Sequence, residues 1–173
     1  RVPNPSELFS DGLHHSAARI ETGLLTMNKE IANKFIISLE RNNDNFGFII
    51  SPYLKQIEDF MQLIPVGITT TIRGAFPVWE HQQVNAQIFG VDIDLNKKIS
   101  SKFDYQGSIS LLKGTNLTDN IPLIHMPSAN FRNQITYKDD RLHQLSISLK
   151  HKTVLQQNQF PDYNFNTFNA ILQ

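Results

Sequence analysis

The sequence contains no cysteine, which excludes a disulfide framework, a thiolate nucleophile and a thiolate metal site. No apolar run approaches the ~18 residues that mark a transmembrane helix. There is no excess of either charge, with 16 Lys and Arg against 16 Asp and Glu in 173 residues. No overall field therefore points to nucleic acid or to an anionic membrane surface, and no nucleic-acid partner is expected. Helical periodicity never persists beyond a turn or two. Gly-rich phosphate loops, nucleophile elbows and His-Glu-x-x-His segments are also missing. Ser6, Glu7 and His14 lack the spacing of a catalytic triad, and Asp139 with Asp140 falls in a turn. The expectation is a protein that is not an enzyme. No signal peptide is visible within the sequence, which starts at Arg1 rather than Met.

What the sequence has is alternation. In residues 85–98, NAQIFGVDIDLNKK, the residues Phe89, Val91, Ile93 and Leu95 are apolar, whereas Gly90, Asp92 and Asp94 are small or acidic. A period of two makes a strand with one apolar and one polar face. The same pattern recurs in Phe103, Tyr105, Gly107, Ile109 and Leu111, in Phe131, Asn133, Ile135 and Tyr137, and in Leu145, Ile147 and Leu149. Earlier it appears from Ala32 to Arg41 and, less regularly because of Pro52, from Phe46 toward Met61. A last partial strand carries Phe168, Ala170 and Leu172. The expected fold class is all-β, with antiparallel up-and-down strands.

The connections alternate in length. Residues 42–45, 96–101 and 139–143 are short polar turns, whereas 63–84, 114–130 and 153–164 are long. Strands of roughly 9 to 11 residues, short turns at one rim and long loops at the other are what a transmembrane β-barrel requires. In such a barrel the apolar face meets the lipid bilayer and the polar face lines a wet or plugged interior. Phe103, Tyr105, Phe131 and Tyr137, at strand ends, suit the aromatic girdles of the two interfaces. A soluble β-barrel that binds a small ligand shares the period but buries its apolar set inside. A lectin-like sandwich is the third possibility. If Phe89, Val91, Ile93 and Leu95 close into a core, the membrane reading fails.

The segment RVPNPSELF carries Arg1, Pro3, Glu7 and Leu8 at the spacing R-x-P-x-x-x-E-L, and Gly23, Leu25, Lys29 and Glu30 follow. Together with the N-x-x-x-x-G-V-[DE] strand at Asn85, Gly90, Val91 and Asp92, this resembles the barrel of TonB-dependent outer-membrane receptors. One departure is Ala32, where the family usually has Ser two residues beyond the Glu. The resemblance extends over residues 1–173, as a partial barrel domain of about six or seven strands out of 22. It implies that the plug and the closing strands are absent from this sequence. It further implies a location in the cell outer membrane and contact with the lipid bilayer. Energy would come from the TonB complex acting through the absent plug, and the transported ligand would be a scarce metal chelate.

Ligand selection in such a protein belongs to the outer loops. The G-x-H-x-A-x-x-x-x-E-x-G shape, met with one residue of slippage by Gly12, His14, Ala17, Glu21 and Gly23, resembles receptors of this family associated with zinc or haem uptake. Imidazole suits both zinc and haem iron, which makes His14 and His15 candidate metal ligands, with His81 and His125 converging on them. Phe76 and Trp79, in RGAFPVWE, offer a stacking surface for an aromatic chelator or porphyrin. Siderophore-bound iron, the family's commonest cargo, is the other candidate. No cofactor is required. On the polar faces, Asp92, Asp94, Arg132, Lys138 and Lys150 stand as partners for a plug or as hydrated lining.

Overall fold

The computed structural model describes residues 1–159, and most of them lie in strands. A short helix, α1 (Pro5–Phe9), precedes a small hairpin of β1 (Asp11–His14) and β2 (Arg19–Thr22). The sequence predicts one strand over residues 32–41. It appears as two pieces, β3 (Ile31–Ile36) and β4 (Leu39–Asn42), both paired antiparallel with β5 (Phe46–Thr71). After β5 come β6 (Gly74–Lys98), β7 (Phe103–Asn116), the two-residue β8 (Ile121–Pro122), β9 (Asn130–Asp139) and β10 (Leu145–Val154). The predicted strand at Phe168, Ala170 and Leu172 lies outside the described residues.

Along the wall the order is β3 and β4, then β5, β6, β7, β9 and β10, each antiparallel to the next. That is the expected up-and-down arrangement, with tight turns at residues 43–45, 99–102 and 140–144. The first turn is closed by the Asn43 side chain, which accepts from the backbone N–H groups of Asn45 and Phe46. An Asn side chain in this role mimics a backbone turn.

Two expectations are corrected. Residues 63–84 are not an outer loop. They continue β5 and β6 into a hairpin of 26- and 25-residue strands that turns at residues 72–73. Pro65, Gly67 and Pro77 suggest a loop in the sequence. Yet Pro65 stands next to a bulge, and among the described residues no strand pairs with the other edge of β5 there, which is where a sheet tolerates proline. The second correction concerns the outer loop expected around residues 11–21. Here β2 docks parallel onto β6, with Ile20, Glu21 and Thr22 beside Val78, Trp79 and Glu80. The sheet is therefore mixed, with one parallel pairing among the described residues in an otherwise antiparallel set.

Register gives the wall two different faces. On one face Phe48 meets Leu95, Ile50 meets Ile93, Pro52 meets Val91 and Leu54 meets Phe89. The apolar rows continue through Val91 with Leu111 and Ile93 with Ile109 to Phe131. Among the described residues nothing closes over them: Phe89 and Leu111, on interior strands, remain 53% and 40% exposed. On the other face run Ser51, Asp92 and Ser110, with the Ser110 hydroxyl donating to Asp92 at 2.7 Å. This polar face is concave and holds an open hollow of about 640 Å³.

The small buried cluster sits at one end of the same concave face. Ile57 and Ala86, register partners, are covered by Leu123, with Phe60, Ile88 and Met126 around them. Leu123 and Met126 come from the connection after β8, which folds back over β7 at Gly114. A Cβ on Gly114 would lie 2.6 Å from the Met126 sulfur, so the missing side chain admits that segment.

Farther down the concave face Tyr53 lies across Gly90, its register partner. A Cβ there would stand 2.3 Å from the ring. Gly90→Ala is expected to cost about 1–3 kcal/mol through overpacking. In a Tyr53→Ala background the same change should cost little. Denaturant unfolding of the intact protein in detergent micelles measures both, and an equal cost in the two backgrounds would refute the contact.

Candidate functional site

Above the apolar rows, residues 1–30 form a strap fastened by one ionic knot. Asn4 caps α1, its side chain accepting from the Glu7 N–H at 2.9 Å while the Glu7 carboxylate accepts from the Asn4 N–H at 2.8 Å. This capping box fixes Glu7. The Arg1 guanidinium then donates two bonds of 2.9 Å to the Glu7 carboxylate and approaches Glu30 at 3.3 Å. That bond to Arg1 holds the Glu7 carboxyl below its ordinary range, against burial. Gly23 belongs to the same knot, because a Cβ there would meet the Leu8 carbonyl oxygen at 2.5 Å. Arg1, Glu7, Gly23 and Glu30, which carry much of the family resemblance, are thus structural.

The far end of the strap crosses β5 and β6. The Gln83 side chain accepts from the Asn28 N–H at 2.7 Å and donates to the carbonyls of Asn28 and Asp59. Asp59 has φ 54 and sits in the bulge of β5 between Ile57 and Phe60. The bulge exposes a carbonyl that a regular ladder would have used.

Under this strap lie several of the residues singled out in the sequence. Trp79 is stacked on the His125 ring, with centroids 6.0 Å apart and planes 8° from parallel. The Arg19 guanidinium stands 4.9 Å from the centre of the Trp79 ring and donates to Glu21 at 2.7 Å. His14 is the register partner of Arg19 but is itself exposed, as is His15. Phe76 is half-buried near the hairpin turn. The structure therefore joins Trp79 with His125, and leaves His14, His15 and Phe76 outside that stack. Among the described residues no group of three or more His, Asp or Glu side chains is gathered to hold a metal.

His81 is buried at its Nε2 atom, which has no hydrogen-bond partner among the described residues. Burial pushes its imidazole below the ordinary value, and Arg19 adds to that; the nearby Glu21 and Glu7 carboxylates pull it back up. The ring is neutral at pH 7. Arg19 and Glu21, the residues that build this patch, were not singled out as a pair in the sequence. The signal was their spacing, since i and i+2 on a strand share a face.

The position of the patch matters as much as its composition. Both register shifts between β5 and β6 are extra residues in β5, so β6 keeps strict alternation from Val78 to Lys98. Trp79, His81 and Gln83 consequently share their side of the strand with Phe89, Val91, Ile93 and Leu95. They belong to the apolar, outward side of the wall. Phe76, Glu80 and Gln82 belong to the concave side.

An all-β wall that is apolar on its convex side and polar on its concave side has the form of an arc of a barrel. No protein-family model and no curated protein matches the sequence. Among solved structures, the copper transporter OprC superposes with a TM-score of 0.73 at 21% identity, covering 92% of this chain. The alignment takes in 23% of the OprC chain, so the sequence spans about a quarter of that transporter's length.

Because the lowered His81 value lies below that of an unfolded histidine, the state in which the strap has lifted off His81 binds the proton first as pH falls. The stability that neutral His81 contributes is present above about pH 6.5 and is lost as pH drops through the folded value. Hydrogen exchange of the β2 amides, corrected for intrinsic rates, should show protection falling with acidification. His81→Phe should flatten that dependence. An unchanged pH profile in the variant would remove His81 as its cause.

Proposed function

We propose that the chain is part of an outer-membrane β-barrel that imports a metal ion or metal complex, energised by the TonB system. The observation that carries this reading is the pair of opposite faces. A soluble barrel closes its apolar residues inside, whereas Phe89, Val91, Ile93 and Leu95 lie on the convex side with no layer over them among the described residues. Hydrocarbon is the solvent that suits such a face, because it cannot hydrate a charge and forces every backbone group into a ladder. The wall meets that demand, with β6 paired along one edge by β5 and along the other by β7.

Metal as the cargo class is supported by the likeness to a copper transporter. It also draws on the resemblance of Arg1, Glu7, Gly23, Glu30 and the Asn85–Asp92 strand to receptors that import metal chelates. Copper joins siderophore-bound iron, haem and zinc as the cargoes to be compared. His14 and His15 remain candidate ligands only together with groups from elsewhere in the barrel, since this wall supplies them with no third donor. The soluble binding module has no supporting feature in the wall, because its ligand cavity would require the apolar face inside.

Two measurements test the proposal. Ile93→Arg on the convex face should destabilise the inserted barrel by about 2–4 kcal/mol near the bilayer midplane, whereas the neighbouring Asp94→Arg should have a small effect. Reversed or equal costs would place the wrong face in lipid. Cells producing the intact protein should accumulate one metal or metal complex from a panel of copper, zinc, ferric siderophore and haem, and should lose that uptake when TonB is removed. Native protein recovered in the aqueous phase without detergent, or uptake indifferent to TonB, would overturn the assignment.

A further inference from the structure

The convex face of β6 ends in a cation. Its alternation Phe89, Val91, Ile93 and Leu95 runs on to Lys97, at the rim where the turn at residues 99–102 leads into β7. The register partners of Lys97 are Phe46 on β5 and Tyr105 on β7, so neither neighbouring strand offers a carboxylate in that row. The rim carboxylates of β7 and β9 are engaged elsewhere. Asp139 accepts from Lys102 and from the Tyr137 hydroxyl, and Asp104 is paired with Lys138. Lys97 is exposed and has no ion-pair partner among the described residues.

One row further into the same face, register joins Leu95 to Gly107 and Gly107 to Asn133. Tyr105 leans along β7 over the glycine. A Cβ on Gly107 would lie 2.8 Å from the Tyr105 hydroxyl, which donates to Asn133 Oδ1 at 2.6 Å. The missing side chain leaves an open notch of about 160 Å³, walled by Ile93, Leu95, Ile109 and Phe131. Tyr105 also lines it, with its hydroxyl already satisfied. Two residues of strand, roughly 7 Å, separate this row from that of Lys97.

We propose that Lys97 and the Gly107 notch form a seat for one anionic glycerophospholipid, its phosphate on the Lys97 ammonium and an acyl chain in the notch. A lysine stem lies along apolar surface while its charged head stays at the level of the headgroups. The spacing of the two rows gives the glycerol its place between them. A zwitterionic lipid carries its own ammonium beside the phosphate and gains less from Lys97, so a net negative headgroup is selected. A free phosphate ion would use the ammonium and leave the notch empty, and an uncharged hydrocarbon would do the reverse. The apolar wall of a neighbouring barrel would bury the ammonium without a counter-ion. The inference rests on the barrel reading, which sets the convex face against lipid and the short turns at one interface.

The test uses the intact protein in detergent micelles with a trace of phosphatidylglycerol that carries a photoreactive diazirine in one acyl chain. Illumination should attach the lipid within residues 93–109 or at Phe131, located by mass spectrometry after digestion. Unlabelled phosphatidylglycerol should displace that adduct about fivefold better than phosphatidylethanolamine of the same chains. That factor corresponds to ~1 kcal/mol for a basic residue near an anionic surface. Lys97→Gln should remove the preference, and Lys97→Arg should keep it. Gly107→Ala, which puts a methyl group into the notch, should lower adduct yield about threefold for either headgroup. Heat-modifiable migration in gels checks that each variant is folded, and the exposed Lys97 variants decide the matter where Gly107→Ala does not fold. Equal displacement by the two lipids, a preference unchanged in Lys97→Gln, or an adduct indifferent to a folded Gly107→Ala overturns the lipid seat alone. Protein that is soluble without detergent overturns the barrel reading and the seat with it.

Discussion

The rest of the structure depends on the unbroken alternation of β6. A strand of 25 residues without a bulge assigns every side chain along it to one of two faces. Most of its backbone is partnered in a relay. β5 serves one edge throughout. On the other edge β7 serves Ala86 to Lys98, the loop takes over at Asn85, and β2 serves Val78 to Glu80. At Asn85 the N–H donates to the Thr118 hydroxyl at 3.0 Å and the carbonyl accepts from the Leu117 N–H at 2.7 Å. An edge left open over that length would be a template for unwanted strand pairing. The parallel docking of β2 is one answer to that hazard.

The knot at Arg1 makes the relay possible. A five-residue helix has no stability of its own, and a four-residue hairpin has little. Both are held because the Glu7 carboxylate accepts from two Arg1 nitrogens and from the Asn4 N–H. Its side chain is 11% exposed, so those bonds replace water rather than compete with it. Glu30, on the other side of Arg1, also accepts from the Met61 N–H at 3.4 Å, which ties the strap to β5. His81 lies near Glu7 and Glu21, and neutrality spares it the cost of burying an imidazolium.

The lower wall was legible in the sequence because period two needs only local information. Phe89 to Leu95, Phe103 to Leu111 and Leu145 to Leu149 alternate as strands and occur as strands. The upper hairpin was hidden because Pro65, Gly67, Gly74 and Pro77 read as turn chemistry. Their effect is absorbed by a bulge and by an edge that no strand among the described residues occupies. Nor did the sequence reveal the strap, since parallel pairing between residues 20–22 and 78–80 leaves no periodic trace across that separation. For the candidate site, residue types were readable but their grouping was not. Trp79 and His125 meet only because β6 extends upward and the β8–β9 connection folds back to it.

That extension changes what the candidate residues do for a transporter. A cargo moving through a barrel passes the concave face, and alternation puts Trp79 and His81 on the opposite one. Trp79 is already engaged by Arg19 and His125, and His81 lies beneath the strap. These aromatic and imidazole groups thus stabilise the raised wall from outside. On the transporter reading, Phe76 alone of the candidates on β6 stands on the cargo side, with Glu80 four positions along on the same side. On the same reading, the surface of this arc open to cargo is the concave side of the raised hairpin, and the His14–His15 tip, exposed and without a third donor among the described residues, lies apart from it in the strap.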